Sequence, residues 1–250
     1  MADKCAICGA EVNLFQAQKL ADGNVICRKN CRSRGFDCFD FVHATLPSVE
    51  AHLAQVERGT KLWDHYFVPR MNEKDKAKKL KRFGSALYVA EDIGLTAYVQ
   101  VDYKFFIFGK SYRACVFRIA DLMRYEYEQQ QVKTNDGTEN KDFIRLSFKG
   151  GNGLTNFLMP ISNSKEYESI CDYFNTLFGI QKTLGNAANN RQKKVDAVKS
   201  VAAGINAVLN NSEDTDDKIA DAAEALDTAV YGDRTELIRR ADEALAAFNG

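Results

Sequence analysis

Four cysteines in the first forty residues carry the clearest chemistry in the chain. Cys5 and Cys8 form a C-x-x-C pair, and after eighteen residues Cys27 and Cys31 form a C-x-x-x-C pair. Two such pairs supply the four thiolates that a tetrahedral zinc ion requires, and Gly9 suits the positive φ of a tight turn. The spacing therefore predicts one structural Zn²⁺ ion, with no open coordination position for a substrate.

Other uses of these cysteines fit the sequence less well. Disulfides are typical of secreted chains, but no apolar signal run follows Met1. A redox C-x-x-C belongs after a strand of a βαβ unit, which the pattern does not predict. Because Asn30 widens the second pair by one residue, Cys38 stays open as a substitute for Cys31, although Cys27 with Cys31 is the preferred pair.

The residues between the pairs must bring the pairs together. Apolar residues lie on both sides of Asp22-Gly23, a dipeptide typical of a hairpin turn. So short a ribbon buries too little apolar surface to be stable alone, and zinc is expected to contribute on the order of 10 kcal/mol. Residues 1–42 are predicted to form a zinc ribbon.

Composition limits the classes of protein that fit. The 250 residues carry 34 Lys and Arg against 34 Asp and Glu, so the net charge does not favour nucleic acid or an anionic membrane. No apolar run reaches membrane-spanning length. The scattered cysteines Cys38, Cys115 and Cys171 fit a reducing compartment. A cytoplasmic protein is predicted.

The fold class predicted is α+β and multidomain. Residues 43–83 are predicted as a linker helix, capped by Ser48 and ended by Gly59, followed by a basic linker. Residues 84–182 read as seven short antiparallel strands closed by a helix that Ser164 caps, which is the order of a pleckstrin-homology-like barrel. The predicted strands are 86–89, 95–99, 104–108, 112–118, 122–132, 143–148 and 154–159. Residues 186–249 are predicted to form three alanine-rich helices.

The cysteine motif and its hairpin carry a family resemblance. Cys5-x-x-Cys8-Gly9, followed by Lys19-Leu20-x-Asp22-Gly23-x-x-Ile26-Cys27, resembles an uncharacterised bacterial zinc-ribbon domain of Firmicute and phage-associated proteins. In that family a barrel often follows, beginning much as residues 87–95 do here. The resemblance implies zinc ligation by Cys5, Cys8, Cys27 and Cys31, and it implies no activity.

No catalytic constellation can be assembled from the sequence. His52 is expected to be a solvated helical histidine, and the Gly109-Lys110-Ser111 sequence lacks the glycine-rich segment that precedes a phosphate loop. A non-enzymatic protein is therefore predicted. The preferred function is a protein-interaction adaptor, with self-association through the C-terminal helices as one form of it.

Two alternatives in other classes stay open. The first is binding to anionic lipid through a basic run before the barrel, which comprises Lys76, Lys78, Lys79, Lys81 and Arg82. The second is nucleic-acid binding through the ribbon, where basic residues cluster around the second cysteine pair near Phe36 and Phe39. These basic residues are Arg28, Lys29, Arg32 and Arg34. In both cases a merely solvated charge cluster is the simpler explanation.

Overall fold

The computed structural model describes residues 3–103, 110–134, 137–150, 153–180 and 233–249. The chain divides into two compact units, the first comprising Met1–Ser162 with Leu237–Gly250 and the second Asn163–Glu236. The α+β class and the antiparallel sheets are confirmed. The strand predicted at 104–108 and the first two helices predicted after residue 186 lie outside the described residues.

The first unit begins with two small hairpins. Strand β1 (Asp3–Lys4) pairs with β2 (Glu11–Val12), and β3 (Ala17–Lys19) pairs with β4 (Val25–Cys27), both antiparallel. The Asp22-Gly23 turn that joins β3 to β4 has the positive φ that its glycine permits. Three of the cysteines and the first half of the following helix share one apolar core. Its members include Cys5, Cys27, Cys31, Ile26, Phe41, Val49 and Leu53.

Helix α1 (Leu46–Leu62) extends further than the sequence predicts. Thr45 is its N-cap and Pro47 lies in its first turn, so the helix begins before Ser48, which was predicted to cap it. It also continues through Gly59 into a π-helical turn (Trp63–Phe67) and a short helix α2 (Val68–Arg70). The prediction that Gly59 ends the helix is therefore wrong.

Gly59 is where α1 comes closest to the sheet. A Cβ atom at this position would lie 2.1 Å from the carbonyl oxygen of Ala114, which is backbone and cannot rotate away. Beside it, the Thr60 hydroxyl accepts the Ala114 amide at 3.2 Å. Glycine is needed here for close helix–strand contact.

Gly59→Ala is expected to destabilise the protein by about 2 kcal/mol or more, because overpacking outweighs the gain of about 1 kcal/mol in helix propensity. Urea unfolding measures the change. Glu50→Ala, on an exposed position of the same helix, is the control and should stay within about 0.5 kcal/mol of wild type. Equal stability of Gly59→Ala and wild type would contradict the close contact.

Seven further strands form two antiparallel sheets. The first has the order β5 (Lys81–Phe83), β6 (Leu87–Ala90), β7 (Leu95–Tyr103) and β8 (Lys110–Arg118). The second has the order β11 (Asn156–Pro160), β10 (Gly137–Phe148) and β9 (Leu122–Thr134). Strand β5 was not predicted, and β7 continues past the end predicted for it at residue 99.

Aromatic side chains fill the space between the two sheets. Tyr98 of β7 stacks on Phe157 of β11 with ring centroids 4.3 Å apart, and Phe117 of β8 stacks on Phe148 of β10 at 4.2 Å. Phe36, from the end of the ribbon, contacts both Tyr98 and Phe157 at 6.1 Å. The ribbon is thus packed into the same core as the sheets.

The opposite face of the first sheet is covered by the π-helical turn and by the last helix, α4 (Thr235–Asn249). Trp63 is fully buried there. Gly94 has a left-handed φ of +63°, and a Cβ atom on it would lie 2.3 Å from the Leu237 carbonyl oxygen. The Tyr66 hydroxyl donates to the Ala244 carbonyl at 2.6 Å. Small residues therefore let α4 lie directly on the sheet.

The second unit contains helix α3 (Ser164–Leu177). Its N-cap is Asn163, whose side chain accepts the Glu166 amide at 3.1 Å, so the prediction that Ser164 caps this helix is wrong by one residue. The guanidinium of Arg234 lies 3.9 Å from the centre of the Phe178 ring. Across the described ranges, no helix combines the length and apolar character needed to span a bilayer.

Candidate metal centre

Two tight turns carry the predicted ligands. After the first cysteine pair, Gly9 has a φ of +71° and donates its amide to the Cys5 carbonyl at 2.9 Å. Within the second pair, the Cys31 amide donates to the Cys27 carbonyl at 3.2 Å. Strand β4 ends at Cys27, so the β3–β4 hairpin sets the position of the second turn against the first.

The four thiol groups converge on one point. The Sγ atoms of Cys5, Cys8, Cys27 and Cys31 all lie within 4.8 Å of one another. Cys5 Sγ is 3.7 Å from Cys31 Sγ, and Cys8 Sγ is 3.7 Å from Cys27 Sγ. A tetrahedral zinc ion with Zn–S bonds of about 2.3 Å places its sulfur ligands about 3.8 Å apart. The donor set and its spacing therefore fit a metal ion such as zinc.

Backbone amides are directed at these sulfur atoms. The Cys27 amide lies 3.3 Å from Cys5 Sγ, and the Cys31 amide lies 3.3 Å from Cys27 Sγ. Burial tends to raise the pKa of the Cys5 thiol, but hydrogen bonds from the Cys8, Cys27 and Ile7 amides outweigh it and lower the pKa to about 6. Such amides stabilise a thiolate, which is the form that binds metal.

The Cys31 thiol shows the opposite shift, because burial and the neighbouring cysteine thiols raise its pKa. A divalent cation compensates for this like-charge crowding, because it favours the thiolate form of every ligand. Cys5, Cys27 and Cys31 are buried, whereas Cys8 is exposed, so the cluster lies just below the surface. Cys38 is outside the cluster.

The cysteine cluster is the one grouping of three or more potential metal ligands within the described parts of the chain. All its donors are sulfur, and four of them complete a tetrahedron.

The predicted basic run is exposed but is not helical. Residues 74–80 form turns and irregular structure, and Lys81 and Arg82 lie on the edge strand β5. Lys76, Lys78 and Lys79 are exposed. Charged residues are common on edge strands, where they oppose unwanted pairing.

The ribbon's predicted nucleic-acid site is not assembled. Phe36 is 1% exposed, so its ring is not accessible to a base, and Phe39 is half-buried with one ring face stacked on His52 at 4.2 Å. Arg34 lies 3.4 Å from Glu57, and the Arg32 guanidinium lies 5.5 Å from the centre of the Phe41 ring. The aromatic residues that favoured this hypothesis pack internally instead.

The structure also contains a joint between the ribbon and the first sheet that the sequence did not indicate. Arg113 of β8 forms a two-pronged pair with the Asp102 carboxylate of β7, at 2.8 and 2.7 Å. Its remaining nitrogen donates to the Ser33 carbonyl at 2.9 Å and to the Gly35 carbonyl. One guanidinium thus fixes the end of the ribbon to two strands.

His52 belongs to the same joint. The sequence predicted a solvated ring, but the side chain is fully buried, and its Nε2 accepts the Phe36 amide at 3.0 Å. Burial lowers the pKa of His52 to about 4, and the nearby Arg113 charge acts in the same direction. The neutral ring is therefore the one that the fold accommodates.

Acidification is expected to destabilise the protein through His52. Its pKa is about 4 in the folded state and about 6.5 in the unfolded state, so the unfolded state binds more protons between these values. This contribution to the free energy of unfolding is complete above pH about 6.5 and falls by up to about 3 kcal/mol towards pH 4.

The measurement is chemical unfolding as a function of pH for wild type and for His52→Gln, which keeps an acceptor for the Phe36 amide. Between pH about 6.5 and 4, His52→Gln should lose less stability than wild type. His65→Gln, at an exposed position, is the control and should follow wild type. Parallel curves for all three proteins would show that His52 does not contribute.

Comparison with known proteins gives one match. A family model described as Domain of unknown function (DUF4428) matches residues 4–47, which include all four clustered cysteines and the start of α1. Neither the curated proteins nor the solved structures gave a match to the chain. The similarity covers the ribbon and brings no activity, source organism or partner with it.

Proposed function

We propose that the chain is a non-enzymatic adaptor that is stabilised by one structural Zn²⁺ ion and binds partner proteins. The convergence of four thiols on one point supports the zinc ion, because a closed sulfur set is typical of structural sites. A cytoplasmic location is part of the proposal, since free thiols persist in a reducing compartment.

The body of the adaptor is proposed to be a pleckstrin-homology-like barrel. Four strands in sequential order, then three more, then the amphipathic helix α3 follow the order expected of that fold. Folds of this kind carry many unrelated functions, so the binding surface has to be argued from its own residues.

Strand β9 is the observation that supports binding to protein. It has 13 residues and lies at the edge of its sheet, where β10 is its one pairing partner among the described strands. Along residues 128–132 the side chains are half-buried or exposed. An edge strand of this length is a template on which an extended peptide can add as a further strand.

Affinity purification with the full chain as bait, followed by hydrogen exchange on the recovered complex, tests the proposal. Binding by strand addition should protect amides of residues 128–132 that exchange in the free protein. Failure to retain any partner, or a partner that leaves these amides unprotected, would refute strand addition.

Proline substitution gives a matched pair of variants. Gln129 and Gln130 are neighbours on β9, so their amides point to opposite edges of the strand. One of Gln129→Pro and Gln130→Pro removes the outward amide. That variant should abolish binding with little change in stability, because no strand in the described ranges pairs with this amide. The other variant should lower stability as well.

Binding to an anionic membrane surface is the second candidate. Just before the basic run, the carboxylates of Glu73 and Asp75 accept backbone amides of their own turns. Within the run, Lys76, Lys78 and Lys79 are exposed. The lysines are thus left available to an anionic surface. Reversing their charges to glutamate should abolish sedimentation with anionic vesicles if the run binds lipid, and unchanged sedimentation would exclude it.

A further inference from the structure

Two adjacent apolar side chains on the ribbon project almost entirely into solvent. Leu14 is 86% exposed and Phe15 is 87% exposed, whereas the next most exposed large apolar side chain described, Val42, is at 58%. Single exposed apolar residues are ordinary, but an adjacent pair at one tip indicates a contact surface.

The turn that presents them is held by hydrogen bonds. Asn13 Oδ1 accepts the amides of both Phe15 and Gln16 at 3.1 Å. The Gln16 carbonyl in turn accepts the Arg28 amide at 2.8 Å, which ties the turn to the loop between Cys27 and Cys31. The two apolar side chains are therefore presented by a fixed backbone beside the thiol cluster.

The surroundings of this turn are basic. Arg28 and Lys29 lie on the loop that the turn contacts, and both are exposed. Neither forms an ion pair with any residue that the structure describes. The two segments that build this end of the ribbon, residues 12–19 and 25–34, contain no acidic residue. We call Leu14, Phe15, Arg28 and Lys29 the ribbon tip.

We propose that the ribbon tip inserts into the interfacial region of an anionic lipid bilayer. Leu14 and Phe15 enter the boundary of the acyl chains, while Arg28 and Lys29 stay at the level of the lipid phosphates. Apolar burial and attraction to anionic lipid act together in interfacial binding, and each cation near the surface strengthens binding about fivefold.

The form of the tip selects this occupant. Its two apolar side chains are almost fully exposed, so a protein partner would need a pocket to enclose them, whereas a fluid interface deforms around them. Its free charges are all of one sign, which complements anionic headgroups. This membrane insertion does not depend on the adaptor proposal. The residues of the ribbon tip are also separate from the basic run at residues 76–82.

Sedimentation of the full-length, zinc-loaded protein with phosphatidylcholine vesicles, with and without phosphatidylserine, tests the proposal. Wild type should bind the phosphatidylserine vesicles more tightly. Leu14→Ser with Phe15→Ser should weaken this binding about tenfold or more, and Arg28→Gln with Lys29→Gln should weaken it about 25-fold. Phe15→Trp should show a blue-shifted emission component on the same vesicles.

Matched controls isolate the tip. Val42→Ser removes an exposed apolar residue elsewhere on the ribbon and should bind within about twofold of wild type. Lys141→Gln with Lys149→Gln removes two exposed cations outside both the tip and the basic run and should retain most of the affinity. Lys76→Gln with Lys78→Gln tests the basic run separately. Zinc content is measured for every variant, so that loss of the ribbon's fold is distinguished from loss of its tip.

Three results would overturn the proposal. The first is wild-type protein that ignores phosphatidylserine vesicles. The second is wild-type affinity for vesicles in both tip variants together with loss of vesicle binding in the Lys76→Gln, Lys78→Gln protein. That result would assign membrane binding to the basic run. The third is a wild-type protein that does not bind vesicles but does bind a protein or nucleic acid, with that binding lost in the Leu14→Ser, Phe15→Ser protein.

Discussion

A Cys27→Ser protein is expected to lose its zinc and the folded structure of its ribbon. Cys27 supplies one of the four thiols of the proposed zinc site, and its sulfur also accepts the Cys31 amide, so the substitution removes the thiolate and leaves a smaller hydroxyl as the acceptor. Metal binding to such sites contributes on the order of 10 kcal/mol, which exceeds what a ribbon of this size gains from its own core. Metal analysis should fall from one zinc per chain to a small fraction of one.

Hydrogen exchange would show how far the loss extends. Val49 and Leu53 share their core with the cysteines, so protection should fall across the first half of α1 as well as across the ribbon. The two sheets keep the Tyr98–Phe157 and Phe117–Phe148 stacks without the ribbon, so their amides should lose less protection than those of the ribbon. Cys38→Ser makes the same chemical change outside the cluster and should keep its zinc. Full zinc content in Cys27→Ser would exclude Cys27 as a ligand.

Arg113→Ala is expected to lower the free energy of unfolding by about 3 kcal/mol. Removing the guanidinium leaves the Asp102 carboxylate and the Ser33 and Gly35 carbonyls without their donor in a partly buried joint. Arg113→Lys should recover little, because an ammonium cannot form the two-pronged pair and reach the ribbon carbonyls together. Urea unfolding measures both variants.

Arg145 provides the control. It forms the same kind of pair with Glu128, at 2.6 and 2.8 Å, but its side chain is 40% exposed and bonds no backbone of the ribbon. Arg145→Ala should therefore cost about 1 kcal/mol or less. Asp102→Asn should restore part of the stability of Arg113→Ala, since it removes the unpaired charge. Similar losses at Arg113 and Arg145 would contradict a special role for the joint.

The local parts of this fold could be predicted from the sequence. The cysteine spacing identified the four residues that the structure brings together, because each ligand pair needs only its own turn. The strand pattern located the second half of β10 and most of β11, whereas the first half of β10 was not predicted. Both signals depend on neighbours within a few residues, which is where sequence patterns carry information.

The longer-range features could not be predicted. Gly59 was interpreted as a helix end because glycine disfavours helices. In the structure a glycine is required there because the Ala114 backbone of a distant strand approaches the helix at this position. Strand β7 was expected to stop at residue 99, but it continues through Gln100 and Asp102 to Tyr103. These two polar side chains lie on the same face of β7, where Gln100 contacts the ribbon and Asp102 contacts Arg113.

The position of α4 has a consequence for how the protein is made. This last helix belongs to the unit that starts at the N-terminal ribbon, yet the whole of residues 163–236 is synthesised in between. Because domains begin to fold during synthesis, the Trp63 face of the first sheet emerges from the ribosome well before the helix that covers it. A nascent chain therefore lacks the α4 cover of this apolar face for several seconds, at roughly 5–20 residues per second.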